Sequence, residues 1–369
     1  MTVRILVGDV RERLRELPDA SAQCVVTSPP YYGLRDYGTA SWDGGRPDCP
    51  HRVGGQVQDN KAPGAIVAGV RPGVDASRCL DCGARRVDLQ IGLERSPDEY
   101  VETMVAVFRE VRRVLALRGT LWLNLGDSYA NDAKWGGSTG GRHPAGLHGA
   151  TGIGRTRKST GLKPKDLIGI PWRVAFALQD DGWWLRSDIV WSKPTVMPES
   201  VDDRPTKAHD YVFLLTRAPR YFYDAGAIRE ADAGTDHARR VLTGQASLEP
   251  SGGLASPHMG IRTATGRNGE GRNARSVWTI NPEPFAGAHF ATMPTRLAER
   301  CIRAGSQEGD AVLDPFGGAG TTGLVAQRLG RDCTLIELNP EYAAMAERRI
   351  AADAPLFASR GPGPVAPPG

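Results

Sequence analysis

Residues 3–7 alternate and are rich in β-branched side chains, which predicts a strand closed by Gly8-Asp9. Leucines at helical spacing among charges follow over 10–17. The apolar run Ala22 to Thr27 reads as a second strand. It stops at Ser28-Pro29-Pro30-Tyr31-Tyr32, where two prolines end regular structure and stiffen the backbone. Ser96-Pro97-Asp98-Glu99 carries a helix start: a serine cap, proline at the first position and acids in the first turn. Apolar spacing extends that helix to about Leu117, and Gly119 ends it. Strands are predicted at Thr120–Leu125, Trp183–Trp191 and Val212–Thr216, and helices at Pro171–Leu178 and Thr295–Ala304. Near the C-terminal end, Ala311–Asp314 is a short apolar run ending at an acid. It breaks into Pro315-Phe316-Gly317-Gly318-Ala319-Gly320 before Thr321-Thr322 open a helix. A last strand, Cys333 to Ile336, ends at Glu337, with Asn339 two residues on. Alternation of strands and helices predicts an α/β fold with helices on both faces of a sheet.

Two of these stretches carry chemistry. Strand, glycine turn and helix let backbone N–H groups approach a ligand with no side chain in the way. An acid at the tip of the next strand can take both hydroxyls of a ribose. Gly317, Gly318, Gly320, Thr321, Thr322 and Glu337 therefore predict a nucleoside cofactor site. The spacing is not G-x-G-x-x-G, so a turn that only packs tightly is the alternative. Ser28, the Pro29 carbonyl and the Tyr31 ring are displayed at a strand's C-terminal edge, where open α/β sheets place ligands.

Ser28-Pro29-Pro30-Tyr31 and Asp314-Pro-Phe-Gly-Gly-Ala-Gly-Thr-Thr322 together resemble the amino-group DNA methyltransferases that use S-adenosylmethionine. The catalytic motif comes first, the circularly permuted order of the β class. The resemblance covers most of the chain outside 40–86, 131–163, 230–275 and the tail, and implies a Rossmann-like methyltransferase sheet. It divides the chain into a catalytic part (1–39 and 87–229), a target-recognition region (230–275), a cofactor part (276–353) and a disordered tail (354–369). It gives Ser28, Pro29, Pro30 and Tyr31 the catalytic role, acting on the exocyclic amine of an extruded base in double-stranded DNA. It places Asp314 at the methionine amine, Phe316 on the adenosine, Glu337 at the ribose hydroxyls, Asn339 in the cofactor site, and the backbone around Thr292 at the methionine carboxylate. Asp9 is expected at the adenine amine, or else is a plain turn acid. Asn124 and Asp127 are expected to face the target base, or else to end a strand. Trp191-x-Lys193-Pro194, Arg204-Pro205 and His209-Asp210 follow the family's pattern, except that Asp210 stands where glutamate is usual. Serine at the first catalytic position favours cytosine N4 over adenine N6. An RNA methyltransferase or a non-catalytic DNA-binding protein are the remaining alternatives. The resemblance also leaves room for a homodimer and a cognate restriction endonuclease as partners.

Residues 40–86 break the α/β rhythm, being rich in glycine, proline and aspartate. They hold Cys49-Pro-His51 and Cys79-Leu-Asp-Cys82-Gly, one complete four-ligand set for a closed tetrahedral zinc site. A segment so poor in apolar residues needs such a staple. The arginines of 230–275 (Arg239, Arg240, Arg262, Arg267, Arg272, Arg275) suit guanine edges and phosphates. Arg155, Arg157, Lys158, Lys163 and Lys165 read either as a loop that orders on phosphates or as a linker. The net charge of +4 in 369 residues agrees with an anionic partner without requiring one. No apolar run is long enough for a membrane span, and nothing at the N-terminus reads as an export signal, so a reducing cytoplasm and free cysteines are expected. Cys24, Cys301 and Cys333 fall in apolar patterns and read as core.

Overall fold

The computed structural model describes residues 1–33, 37, 39–51, 56–58, 66–68, 77–130, 160–196, 198–199, 201–230, 271–283 and 292–353. The expectations for 131–159, 231–270, His289 to Ala291 and the tail 354–369 lie outside the described residues.

In chain order the elements are β1 (Val3–Val7), α1 (Val10–Arg15), β2 (Ala22–Thr27), β3 (Ser41–Asp43), β4 (Gln56–Gln58), β5 (Ile66–Ala68), β6 (Arg85–Val87), α2 (Pro97–Val114) and β7 (Leu115–Leu125). Then come α3 (Ile170–Asp180), β8 (Trp184–Ser192), β9 (His209–Thr216), β10 (Val277–Thr279) and α4 (Thr295–Gly305). The last four are β11 (Ala311–Asp314), α5 (Thr321–Arg328), β12 (Asp332–Glu337) and α6 (Pro340–Asp353). Eight strands form one sheet in the order β1-β12-β11-β2-β7-β9-β8-β10. From β1 to β7 every neighbour is parallel, and β9 runs antiparallel to both β7 and β8. The first strand of the chain thus pairs with the last, and β2 pairs with β11.

Both faces of the sheet are covered, which is why its strands are apolar almost throughout. On β7, Leu121, Leu123 and Leu125 turn to a core with Leu14, Tyr100, Met104, Phe108, Val174 and Leu178 from α1, α2 and α3. Trp122 turns to the opposite core with Leu297, Ile302 and Leu324 from α4 and α5. Ser96 caps α2 as predicted, its hydroxyl accepting from the Glu99 N–H at 3.2 Å.

Two expectations needed correction. The α2 helix ends at Val114, not near Leu117, and β7 starts at Leu115. Leu115 is fully buried and pairs with Ala22, whereas Leu117 is exposed, so its helical spacing is coincidental. Gly119 sits inside the bulged strand, where a Cβ would lie 2.8 Å from the Gln23 carbonyl oxygen. It allows close approach and does not stop a helix. The segment 40–86 is not wholly irregular either: β3 pairs antiparallel with β6, and β4 with β5.

Candidate active site and metal-ligand cluster

Parallel pairing of β2 with β11 brings the residues after each strand to one edge of the sheet. Thr27 Oγ1 donates to Asp314 Oδ1 at 2.6 Å across 287 residues of sequence. Tyr31 and Phe316 pack on the same apolar cluster as Leu313 and Ile336. The two motifs therefore meet at one edge of the sheet.

On the β2 side the loop is tightly fixed. The Tyr100 hydroxyl donates to the Pro30 carbonyl at 2.9 Å, and the buried Tyr32 ring packs 5.7 Å from Tyr100. Among the described residues no donor meets the Pro29 carbonyl. Asn124 Oδ1 lies 3.1 Å from the Ser28 hydroxyl and 3.0 Å from the Tyr31 hydroxyl. Its Nδ2 donates to the Tyr211 carbonyl at 3.0 Å, which fixes the amide's orientation. Tyr31 also reaches Asp210 Oδ2 at 3.2 Å, and Lys193 Nζ donates to that oxygen at 2.5 Å. Burial first, then the charge of Asp210, pushes the Tyr31 phenol well above its ordinary pKa, so it stays protonated near neutrality. The ring lies over Gly126, where a Cβ would come within 2.4 Å of Tyr31 Cε2.

On the β11 side, Gly318 and Gly320 take left-handed φ values of 48° and 77°, and a Cβ on Gly317 would meet that of Leu335 at 2.9 Å. Around the position of a Cβ on Gly318 the space is open. The turn thus lies flat on β12 and offers backbone at the start of α5. Glu337 Oε2 accepts from the Gly318 N–H at 2.8 Å, and Oε1 from the Asn339 N–H at 2.8 Å. Burial raises the Glu337 carboxyl, while the Asn339 and Gly318 amides pull it down. Asn339 Oδ1 in turn accepts from the Glu341 N–H, capping α6. Asp314 is buried and accepts from Thr27, from the Thr322 hydroxyl at 2.7 Å and from the Phe316 N–H at 3.0 Å. Burial still raises its carboxyl against those three hydrogen bonds. The side chain ties β2, β11 and α5 together. Thr321 Oγ1 accepts from Arg349 at 2.9 Å, and Thr292 is half-buried just before α4.

Several acids and bases are engaged elsewhere. Asp9 caps α1 and holds Arg11 through both carboxylate oxygens. Burial acts to raise its pKa, but the Arg11 hydrogen bonds and charge outweigh this and lower it. Asp127 Oδ1 accepts from the Gly169 and Ile170 N–H groups, each at 3.0 Å, and so caps α3. Lys163 and Lys165 pair with Asp166 and Asp203. Arg272 and Arg275 both pair with Glu230, which also holds Arg300. The structure adds Lys193 and Asp210 to the site. Both lie in stretches the sequence had singled out, yet nothing local assigned them to Tyr31.

Separately, Cys49, His51, Cys79 and Cys82 bring their ligand atoms within 4.8 Å of one another. Cys49 Sγ and Cys79 Sγ are 3.7 Å apart, and Cys82 Sγ and His51 Nδ1 are 3.4 Å apart. Tetrahedral zinc with bonds of about 2.3 Å to sulfur and 2.0 Å to nitrogen spaces sulfur pairs at about 3.8 Å and sulfur–nitrogen pairs at about 3.5 Å. The donor set fits that ion. Cys79 donates its N–H to the Ala84 carbonyl, and Gly83 to that of Cys79, closing a knuckle with Gly83 at φ 75°. Gly45 makes room: a Cβ there would lie 2.7 Å from Cys82 Sγ. The His51 ring stacks on Trp42 at 5.1 Å.

Comparisons with known proteins bear on the family and the fold. Residues 22–348 match the family model for the DNA methylases that modify N6 or N4 positions. The chain is 42% identical over 344 residues to the Type II methyltransferase M.Cfr9I of Citrobacter freundii, covering 93% of this chain and 86% of that protein. It is 41% identical over 347 residues to the Type II methyltransferase M.SmaI of Serratia marcescens, covering 94% and 90%. Its fold is similar to that of the cytosine-N4-specific PvuII DNA methyltransferase (TM-score 0.54, 18% identity, 98% and 89% covered). It is also similar to a putative DNA modification methylase of Thermus thermophilus solved with S-adenosyl-L-methionine (TM-score 0.51, 21% identity, 97% and 98% covered).

Proposed function

The chain belongs to the N6/N4 DNA methylase family, and from that premise we propose that it methylates cytosine N4 in duplex DNA, using S-adenosylmethionine. The observation that carries this reading is the Thr27–Asp314 contact, which sets Ser28-Pro29-Pro30-Tyr31 beside the Gly317–Gly320 turn. S-adenosylmethionine supplies, when bound, an electrophilic methyl group on a sulfonium. The turn fits such a cofactor: it is open at Gly318, and Glu337 stands at the tip of the adjacent strand to take ribose hydroxyls. Phe316 would pack against the adenosine, and Asn339 would belong to the same cofactor site. Asp314 orders the turn through Thr322 and the Phe316 N–H, close to where the methionine amine binds.

An exocyclic amine is a poor nucleophile because its lone pair is delocalised into the ring. Ser28 Oγ and the Pro29 carbonyl accept hydrogen bonds from its N–H groups, which favours a pyramidal nitrogen and frees the lone pair. The Tyr31 ring stacks on the extruded base, worth about 1–3 kcal/mol. Much of the rate comes from holding amine and methyl in line. The serine at position 28 supports cytosine over adenine. Residues 1–39 with 87–229 form the catalytic part, 276–353 the cofactor part, and 230–275 the target-recognition region. Cys49, His51, Cys79 and Cys82 hold one structural zinc, with all four positions filled by protein. A restriction endonuclease of the same specificity is the proposed companion, in line with the likeness to Type II methyltransferases.

The test is transfer of labelled methyl from S-adenosylmethionine to duplex DNA, followed by digestion to nucleosides and mass analysis. N4-methylcytosine is the expected product. N6-methyladenine alone overturns the choice of base, and no transfer to DNA overturns the activity.

A further inference from the structure

We propose that Lys193 and Asp210 form a positioning pair: Asp210 accepts the hydrogen bond of the Tyr31 phenol, leaving Asn124 to accept that of the Ser28 hydroxyl and turning the Ser28 oxygen's lone pairs toward the target amine. The inference rests on the methyl-transfer reading and goes beyond it by assigning the protons in the site.

The argument starts from a count of donors. Tyr31 has one hydroxyl proton, with Asn124 Oδ1 at 3.0 Å and Asp210 Oδ2 at 3.2 Å placed to accept it, and the Ser28 hydroxyl also neighbours the phenol. Ser28 has one proton and lies 3.1 Å from the same Asn124 oxygen. Asn124 cannot turn its amide, because Nδ2 is held by the Tyr211 carbonyl at 3.0 Å. Were Tyr31 to donate to Asn124, the two lone pairs of that amide oxygen would be shared between two hydroxyls, and the Asp210 carboxylate would lose the phenol as a donor. An ionised carboxylate is a stronger acceptor than an amide. Asp210 is buried, and a buried charge is ordinarily paired with an opposite one. Lys193 supplies it at 2.5 Å, and its ammonium is also held 4.4 Å from the Trp191 ring centroid. Trp191 and Asp210 are register partners on β8 and β9, so the sheet presents the pair together. Gly126 lets both Tyr31 and Asp210 sit against the β7 backbone. With the phenol committed to Asp210, the Ser28 proton goes to Asn124. Ser28 Oγ then faces the site as an acceptor, the role that pyramidalising an amine requires.

The experiment measures steady-state methyl transfer to duplex DNA by the full-length chain and its variants. Asp210→Asn removes the charge on the acceptor and is expected to lower kcat roughly ten- to hundredfold, with the KM for S-adenosylmethionine unchanged. Lys193→Met is expected to do the same, and Lys193→Arg to restore much of the loss. In a Tyr31→Phe background, which has no phenolic proton to place, Asp210→Asn is expected to add no further loss in kcat. If Asp210→Asn fails to bind cofactor, the Lys193 series with Tyr31→Phe decides on the same criteria. A wild-type kcat in Asp210→Asn or Lys193→Met overturns the proposal, as does a loss fully additive with that of Tyr31→Phe. No transfer by the wild-type protein overturns the methyl-transfer reading itself, and this proposal with it.

Discussion

Gly126 shows how little tolerance the site has at the level of single atoms. A Cβ there would lie 2.4 Å from Tyr31 Cε2, nearer than non-bonded carbons approach, so Gly126→Ala must push the ring off its place. Methyl transfer is expected to fall by at least roughly tenfold while cofactor binding, measured by calorimetry, stays near wild type. Thr27→Val makes the converse point. It removes one of the three donors to the buried Asp314, and the protein is expected to lose about 1–3 kcal/mol, read from the denaturant midpoint. Ser28 and Tyr31 were legible in the sequence because their motif is contiguous and stiff. Asp9 and Asp127 were open there, since either a ligand or a helix N-terminus satisfies a strand-end acid. Only folding shows that Asp127 meets the N–H groups of Gly169 and Ile170, more than forty residues on. The partners of Tyr31 were hidden for the same reason: Asp210 is 179 residues away.

At the scale of elements, the Cys/His knuckle makes a sharp expectation. The purified protein should hold one zinc per chain by metal analysis, and Cys82→Ser should lose it along with ordering of β3 and β6. The turn at Gly317–Gly320 should still bind S-adenosylmethionine, because β11 and β12 do not belong to that insert. The four clustered Cys and His positions were readable from spacing alone, but the β3–β6 pairing was not, since three-residue strands carry no periodicity. The end of α2 was misread for a related reason: Leu117 continues a helical pattern by chance while facing solvent. Glu230 offers a pH test of another element junction, where it binds Arg275, Arg300 and Arg272. Burial alone would raise its carboxyl, but the Arg275 and Arg300 hydrogen bonds bring it from 4.5 down to about 2. A depressed native pKa means the unfolded chain binds the proton more readily. The stabilisation is therefore full above pH 4.5 and vanishes as pH falls to about 2. The stability difference between wild type and Glu230→Gln, from urea unfolding at several pH values, is expected to shrink over that window.

Across the whole molecule, β2 lies in the sheet with β11 on one side and β7 on the other. All eight tryptophans lie at or before Trp278, outside the cofactor turn. Adding S-adenosylmethionine at about a hundred times its Kd should stabilise the fold by about 2.7 kcal/mol, and tryptophan fluorescence should report that rise although no tryptophan lies in β11, β12 or α5. The individual strands were visible in the sequence as apolar runs. That β2 would neighbour β11 was not, because local pattern says nothing about partners; only the resemblance of the two motifs to one family implied it. The pairing of β1 with β12 has a temporal side. On the ribosome, β1 has to wait for residues 332–337 before it finds its neighbour, and β2 waits likewise for 311–314. Until then both strands carry an unpaired edge, and the two motifs cannot meet.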